Sequence, residues 1–203
     1  MFNSAPRLVR SALAAALALG ATAAEAAQTQ VFVTNEDGDD VSVIDIASAK
    51  VVATIPIGVA PDGSEIYVAV SAENSIAVID PETLKVVRRF DSGPDPETFA
   101  VHPNGNLYIS NEEHAKASVY DPKTGELVAE IKVGLEPEGV AISPDGTRGI
   151  VTSESTNMLH LVAIPEHKIV ANILVGARPR AAAFSADGKL AYATSEISGE
   201  VKK

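Results

Sequence analysis

Carboxylates and arginines recur at fixed places along this chain, and they are the side chains best suited to chemistry. Glu97, Glu138 and Arg180 each follow a proline, in Pro96-Glu97, Pro137-Glu138 and Pro179-Arg180, and Arg178 stands just before the last of these. Glu112 and Glu154 each follow a small polar residue, in Asn111-Glu112 and Ser153-Glu154, and Asn35-Glu36 and Ser195-Glu196 repeat that pattern. If such side chains converge, they make a polar pocket for a small ligand or a cation, with carboxylates as the donors. The competing reading is a solvated rim whose charges repeat because the chain repeats. Glu97, Glu112, Glu138, Glu154, Arg178 and Arg180 are therefore the candidate ligand-binding set. These residue types specify no particular metal. They suggest no catalytic assignment and no cofactor.

Other chemistry is poorly supplied. The chain has no cysteine, so it has no disulfide, no thiolate metal site and no Cys-x-x-Cys-His for covalent haem. His102, His114, His160 and His167 fall at four different repeat positions and form no helical His-x-x-x-His pair. No Gly-x-Ser-x-Gly elbow or phosphate-cradling glycine loop is present. The formal net charge is −11 with no basic stripe, which argues against nucleic acid and against an anionic membrane surface.

The first 26 residues read as an export signal. Arg7 and Arg10 give a positive start, Ser11 to Ala24 a small apolar stretch, and Ala24-Glu25-Ala26 a small-x-small cleavage site. The apolar run is too short to span a bilayer, which needs about 20 residues. The expected organisation is a signal peptide over residues 1–26 and one domain over 27–203, periplasmic or secreted, with no membrane span after cleavage.

That domain repeats. Gly93-Pro94-Asp95-Pro96-Glu97 runs to Asn104-Gly105, Gly134-Leu135-Glu136-Pro137-Glu138 to Asp145-Gly146, and Gly176-Ala177-Arg178-Pro179-Arg180 to Asp187-Gly188. First and last glycine keep the same spacing each time, and the copies recur about every 42 residues, a period typical of propeller blades. Between turns lie short runs of alternating β-branched residues, such as Leu107 to Ser110, Ala117 to Asp121 and Leu127 to Val133. Four strands in about 40 residues is the pattern of a propeller blade. The expected fold is all-β: a β-propeller of four-stranded antiparallel blades, incomplete, with about four blades' worth of strands in an open arc. The Asp-Gly and Asn-Gly pairs read as hairpin turns. Asp45, Asp80 and Asp121 close third strands, where a carboxylate accepts hydrogen bonds from the following turn. The second blade is short: Gly58 to Gly63 covers less than half the interval from Gly93 to Gly105, so its inner strand should be missing. Strand parity puts the Pro-x-Glu entries and the loops after the second strands on one face.

Val31-Phe32-Val33-Thr34-Asn35, with Val43-Ile44-Asp45 and Val78-Ile79-Asp80, resembles the YVTN β-propeller repeat family over about residues 29 to 203. Gly93 to Glu97, Glu136 to Gly139, Ser153 to Met158 and Ala177 to Arg180 are similar to the propeller proteins associated with PQQ-dependent catabolism. The resemblance implies a non-catalytic periplasmic binding or interaction module beside PQQ-dependent alcohol oxidation. Its partner would be the dehydrogenase, that enzyme's transport system or a small ligand. The alternative is a propeller enzyme, either a metal-dependent lactonase-like hydrolase or a quinoprotein-like oxidoreductase.

Overall fold

The computed structural model describes residues 30–35, 40–55 and 64–203. The expected signal peptide and the shortened Gly58 to Gly63 segment lie outside the described residues. The described residues form five antiparallel sheets in chain order. The first holds β1 (Gln30–Asn35), β2 (Asp40–Asp45) and β3 (Lys50–Ile55). The second holds β4 (Ile66–Val70), β5 (Ser75–Asp80) and β6 (Lys85–Asp91). The third and fourth have four strands each: β7 (Pro96–Val101) to β10 (Glu126–Lys132) with β8 (Leu107–Asn111) and β9 (Lys116–Asp121) between, and β11 (Pro137–Ile142) to β14 (Lys168–Leu174) with β12 (Arg148–Ser153) and β13 (Met158–Ala163) between. The fifth holds β15 (Pro179–Phe184), β16 (Ala191–Ser195) and β17 (Glu200–Lys202). This is the expected all-β architecture of meandering propeller blades. Two blades are complete among the described residues, and the second carries three strands, with no inner strand between Ser64 and Asp91.

Local chemistry accounts for the meander. Asp80 Oδ1 accepts from the N–H groups of Glu82 (3.0 Å) and Thr83 (2.7 Å), and Asp121 Oδ1 from Lys123 (2.9 Å), closing the turns after the third strands. Gly105, Gly146 and Gly188 take φ of +98°, +70° and +68° in the hairpins after the inner strands, a region that other residues enter only at a cost.

Three apolar clusters lie between neighbouring sheets, and a fourth, of Ile66, Val68, Ala77 and Ile79, belongs to the second sheet alone among the described residues. Tyr67, Ile76 and Val78 of the second sheet pack on Leu107, Ile109 and Tyr120 of the third. Tyr108, Val119 and Ile131 of the third pack on Val151, Val162 and Ile164 of the fourth. Ile150 and Leu159 of the fourth meet Ala193 of the fifth, with Phe184 at the margin. The inner strands β7, β11 and β15 stand side by side, and that contact positions the charged residues.

Candidate functional site

Each inner strand begins with the same irregularity. Asp95, Glu136 and Arg178 have φ of +48°, +53° and +56°, and the proline that follows each denies it the right-handed helical region. Each carbonyl then accepts the N–H of an acid from the loop after the second strand: Asp95 from Glu112 (3.0 Å), Glu136 from Glu154 (2.8 Å) and Arg178 from Glu196 (2.8 Å). One residue further on, the pairing with the second strand slips, between Pro96 and Phe99, Pro137 and Val140, and Pro179 and Ala181. A bulge frees a backbone N–H and re-aims the neighbouring side chain. The freed N–H groups of Thr98, Gly139 and Ala181 are taken up by the hydroxyls of Ser110 (3.1 Å), Thr152 (2.7 Å) and Thr194 (3.2 Å). The side chains brought together beside these bulges are Glu97, Glu138 and Arg180.

All six predicted residues meet in one network. Glu154 is its hub. Its Oε1 accepts from Arg178 Nε at 2.5 Å and its Oε2 from Arg180 Nη1 at 2.7 Å. Arg180 Nη2 also lies 3.3 Å from Glu138 Oε1, so one guanidinium bridges acids from two elements of the preceding blade. The Glu138 and Glu154 side chains are only 9% and 8% exposed, whereas both arginines keep about two-fifths of their surface in solvent. Burial pushes the Glu138 carboxyl up to about 7; Arg180 opposes this, while Glu154 and Glu97 reinforce it. Burial works the same way on Glu154, but hydrogen bonds from Arg178 and Glu138 and the charges of both arginines outweigh it, so its pKa is lowered. Of this pair Glu138 is the carboxyl that holds a proton more readily, and in that form it donates to the Glu154 carboxylate.

Glu97 and Glu112 continue the network onto the third sheet. Burial, Glu112 and Asp95 raise the pKa of Glu97, against a weaker pull from Arg180. Carboxylate oxygens of Asp95, Glu97 and Glu112 all lie within 4.8 Å of one another, and all three residues are partly buried. Such a hard-oxygen set suits a cation such as Ca²⁺. Asp95 and Glu196 are the members that the sequence reading left out of its candidate set. Asp95 adjoins the same proline as Glu97. Glu196, 3.7 Å from both Arg178 Nε and Arg180 Nη1, directly follows the last second strand, β16. Position in the repeat would have found both.

Three of the four histidines are engaged elsewhere. His160 Nε2 accepts the Gly134 N–H (2.9 Å), which puts the ring proton on Nδ1, facing Asn172 Oδ1 at 2.7 Å. His102 Nδ1 accepts from Asn104 N–H (3.0 Å) and Nε2 donates to the Gly146 carbonyl (2.8 Å). His167 faces Tyr108, its Nδ1 lying 3.2 Å from the phenol oxygen.

Fold and site together define a propeller-type repeat protein with a charged cluster at the inner ends of its blades. The fold is widely shared, with 1216 solved chains matching it. One of them is the hydrazine synthase of Kuenenia stuttgartiensis, at TM-score 0.74 and 23% identity over 82% of this chain and 52% of that one. The chain thus spans about half the length of that protein, and at this identity the likeness gives the fold alone. No protein-family model matches the sequence, and no curated protein matches it. Among the described residues no helix is long and apolar enough to cross a membrane.

Proposed function

We propose that this chain is a non-catalytic, periplasmic binding module whose ligand site is the acid and arginine cluster at the inner blade ends. One observation carries the reading: charged groups from three consecutive blades form a single network, two of whose carboxyl groups are almost fully buried. Burying acids beside one another costs free energy, and a solvated rim would leave each exposed and unpaired. The cluster holds six acids, Asp95, Glu97, Glu112, Glu138, Glu154 and Glu196, against two arginines, so its unmet need is positive charge. A hard cation at Asp95, Glu97 and Glu112, alone or as part of a small polar ligand, fits that need. The resemblance of the entry segments to propellers of PQQ-dependent catabolism supports a role beside alcohol oxidation, with a dehydrogenase or its transport system as protein partner.

A second reading is favoured by the same acid triad: a lactonase-like hydrolase, in which a metal held there would polarise a carbonyl. Arg178 and Arg180, already committed to Glu154, weigh against it. Calorimetric titration of the full chain with CaCl₂ separates these readings. Saturable binding that weakens about tenfold or more in Glu97→Gln, without lactone hydrolysis, supports the binding module. Heat of dilution alone would remove the site, and Ca²⁺-dependent hydrolysis lost in the same variant would make the chain an enzyme.

A further inference from the structure

We propose that His160 positions the acid and arginine cluster: its neutral ring clamps the segment entering β11 against β12, and a proton on that ring releases the segment and weakens cation binding. The proposal rests on the cation reading of the cluster. His160 is the one histidine placed on a strand, β13. Alternation turns its ring to the same side as Val162, toward the third sheet, where it is buried. Nε2 accepts the Gly134 N–H at 2.9 Å and lies 3.0 Å from Ser153 Oγ, while Nδ1 faces Asn172 Oδ1 at 2.7 Å. The ring thus ties together the segment crossing from β10 to β11, the end of β12, and β14. A Cβ at Gly134 would come within 2.8 Å of Ser153 Cβ and 3.0 Å of His160 Nε2, so glycine is what lets the crossing segment close on the ring.

Both arms of the clamp run into the cluster. Ser153 directly precedes the hub, Glu154. Gly134 leads to Glu136, whose carbonyl accepts the Glu154 N–H at 2.8 Å, and then to Glu138. The Glu138 carbonyl accepts from Thr98 Oγ1 at 2.6 Å, next to Glu97 of the acid triad. Ser153, His160 and Asn172 stand in the order of an acyl-transfer relay. Ser153 is fully buried, however, and the ring's lone pair already holds the Gly134 N–H, so the ring positions backbone and does not activate a nucleophile.

A proton changes one of these partners irreparably. The imidazolium donates through both nitrogens. Ser153 Oγ can turn and accept from Nε2, but the Gly134 N–H cannot, and two donors then face each other in a buried site. The neighbouring repeat has no such sensitivity. At the Ser153 position the third sheet carries Asn111, whose Nδ2 donates straight to the Ser92 carbonyl at 2.9 Å, and Ser118 stands at the His160 position. In the fifth sheet the two positions are Ser195 and Lys202, and the Ser195 hydroxyl is buried without a partner. The charged groups on the surrounding elements are otherwise committed. Glu136 accepts from Ser155, and Glu154 holds Arg178 and Arg180. Lys116 pairs with Glu130, and with Lys132 they lie on the side of the third sheet turned to the second. Arg148 and Lys168 sit at the far ends of β12 and β14. Among the described residues none of these side chains bonds the ring.

Heteronuclear NMR of the full chain, titrated from pH 7.5 to 5, reads the His160 ring and the Gly134 amide together, and calorimetry with CaCl₂ reads the site at the same pH values. Ring and amide should change in one step. Across that step calcium affinity should fall about fivefold, the worth of one hydrogen bond, beyond any fall in His160→Gln. Glutamine can accept from Gly134 but takes up no proton, and Glu138 and Glu97 titrate in both chains, so the difference belongs to the ring. Asn172→Asp, at an exposed position, sets a carboxylate against Nδ1–H and should move both changes to higher pH. A Gly134 amide that ignores the ring's protonation overturns the proposal, as does an equal pH dependence of calcium affinity in wild type and His160→Gln. Calcium binding absent at every pH removes the cation reading instead. The clamp then stands if the Arg178 and Arg180 Nε–H signals shift with His160, and falls if they do not.

Discussion

Glu154 holds two arginines from a single buried carboxylate, and its removal is felt by both. Glu154→Gln keeps the shape but takes away the charge that Arg178 and Arg180 share. Breaking a fully buried pair costs about 3–5 kcal/mol, but these arginines remain two-fifths exposed, so a loss of about 1–2 kcal/mol is expected in urea denaturation. Glu138 gives a different signature. Its folded pKa, about 7, lies above the ordinary 4.5, so the folded chain binds a proton that the unfolded chain has released between those values. Stability from this group is complete below pH 4.5 and is lost as pH rises through 7, with a slope of at most about 1.4 kcal/mol per pH unit. Glu97, also raised, adds in the same direction. Glu138→Gln should therefore flatten the fall in denaturation midpoint between pH 5 and 7.5; an unchanged pH profile would show that the buried proton is not on Glu138. That the acids and arginines converge could be read in the sequence because they recur at fixed repeat positions. Which acid keeps the proton could not, because it depends on how deeply each carboxyl is buried and which guanidinium reaches it.

At the scale of the element, the inner strands carry a bulge, and a hydroxyl on the second strand completes it. Thr152 accepts the Gly139 N–H that the ladder leaves free. Thr152→Val should cost about 1 kcal/mol or somewhat more, since the donor stays buried without a partner, and Thr152→Ser should recover most of it. The same position in the second sheet is Ala69, one repeat before Ser110, and that sheet has no bulged inner strand among the described residues. Missing strand and missing hydroxyl go together. Gly139 is fixed by a neighbour: a Cβ there would collide with the Arg180 carbonyl, which is backbone and cannot swing away. Gly139→Ala should therefore push β15 off β11 and loosen Arg180 from Glu138 and Glu154, lowering the melting temperature and flattening the same pH profile. Turn glycines, aspartates and strand alternation made the meander and the three-stranded second sheet readable from spacing alone. The bulges were not, because each falls at the start of its strand, before a run of alternation long enough to be interrupted.

For the whole molecule, stacking of sheets sets the order in which structure is lost. Three of the four apolar clusters among the described residues are shared by two adjacent sheets, so a sheet flanked on both sides is held twice and one packed on a single side once. Stability in such an array is a sum of unit and neighbour terms, and opening begins at the weakest end. The third and fourth sheets share the largest buried cluster. The fifth is held by Ala182, Phe184 and Ala193 against Ile150 and Leu159, beside an apolar cleft that solvent enters. Val201 on β17 is 65% exposed, while Ile109 on β8 is fully buried. Amide hydrogen exchange should show β15 to β17 opening before the second, third and fourth sheets, with β8, β9 and β12 protected most. Phe184→Ala should deepen that gradient: a fully buried phenylalanine is worth about 3–5 kcal/mol, and this half-buried one about half as much. The loss should fall on the fifth sheet and leave exchange at Tyr108, Ile109 and Val119 unchanged. A uniform drop across all sheets would mean that the array unfolds as one cooperative unit, and the junctions would then have to be treated as a single core.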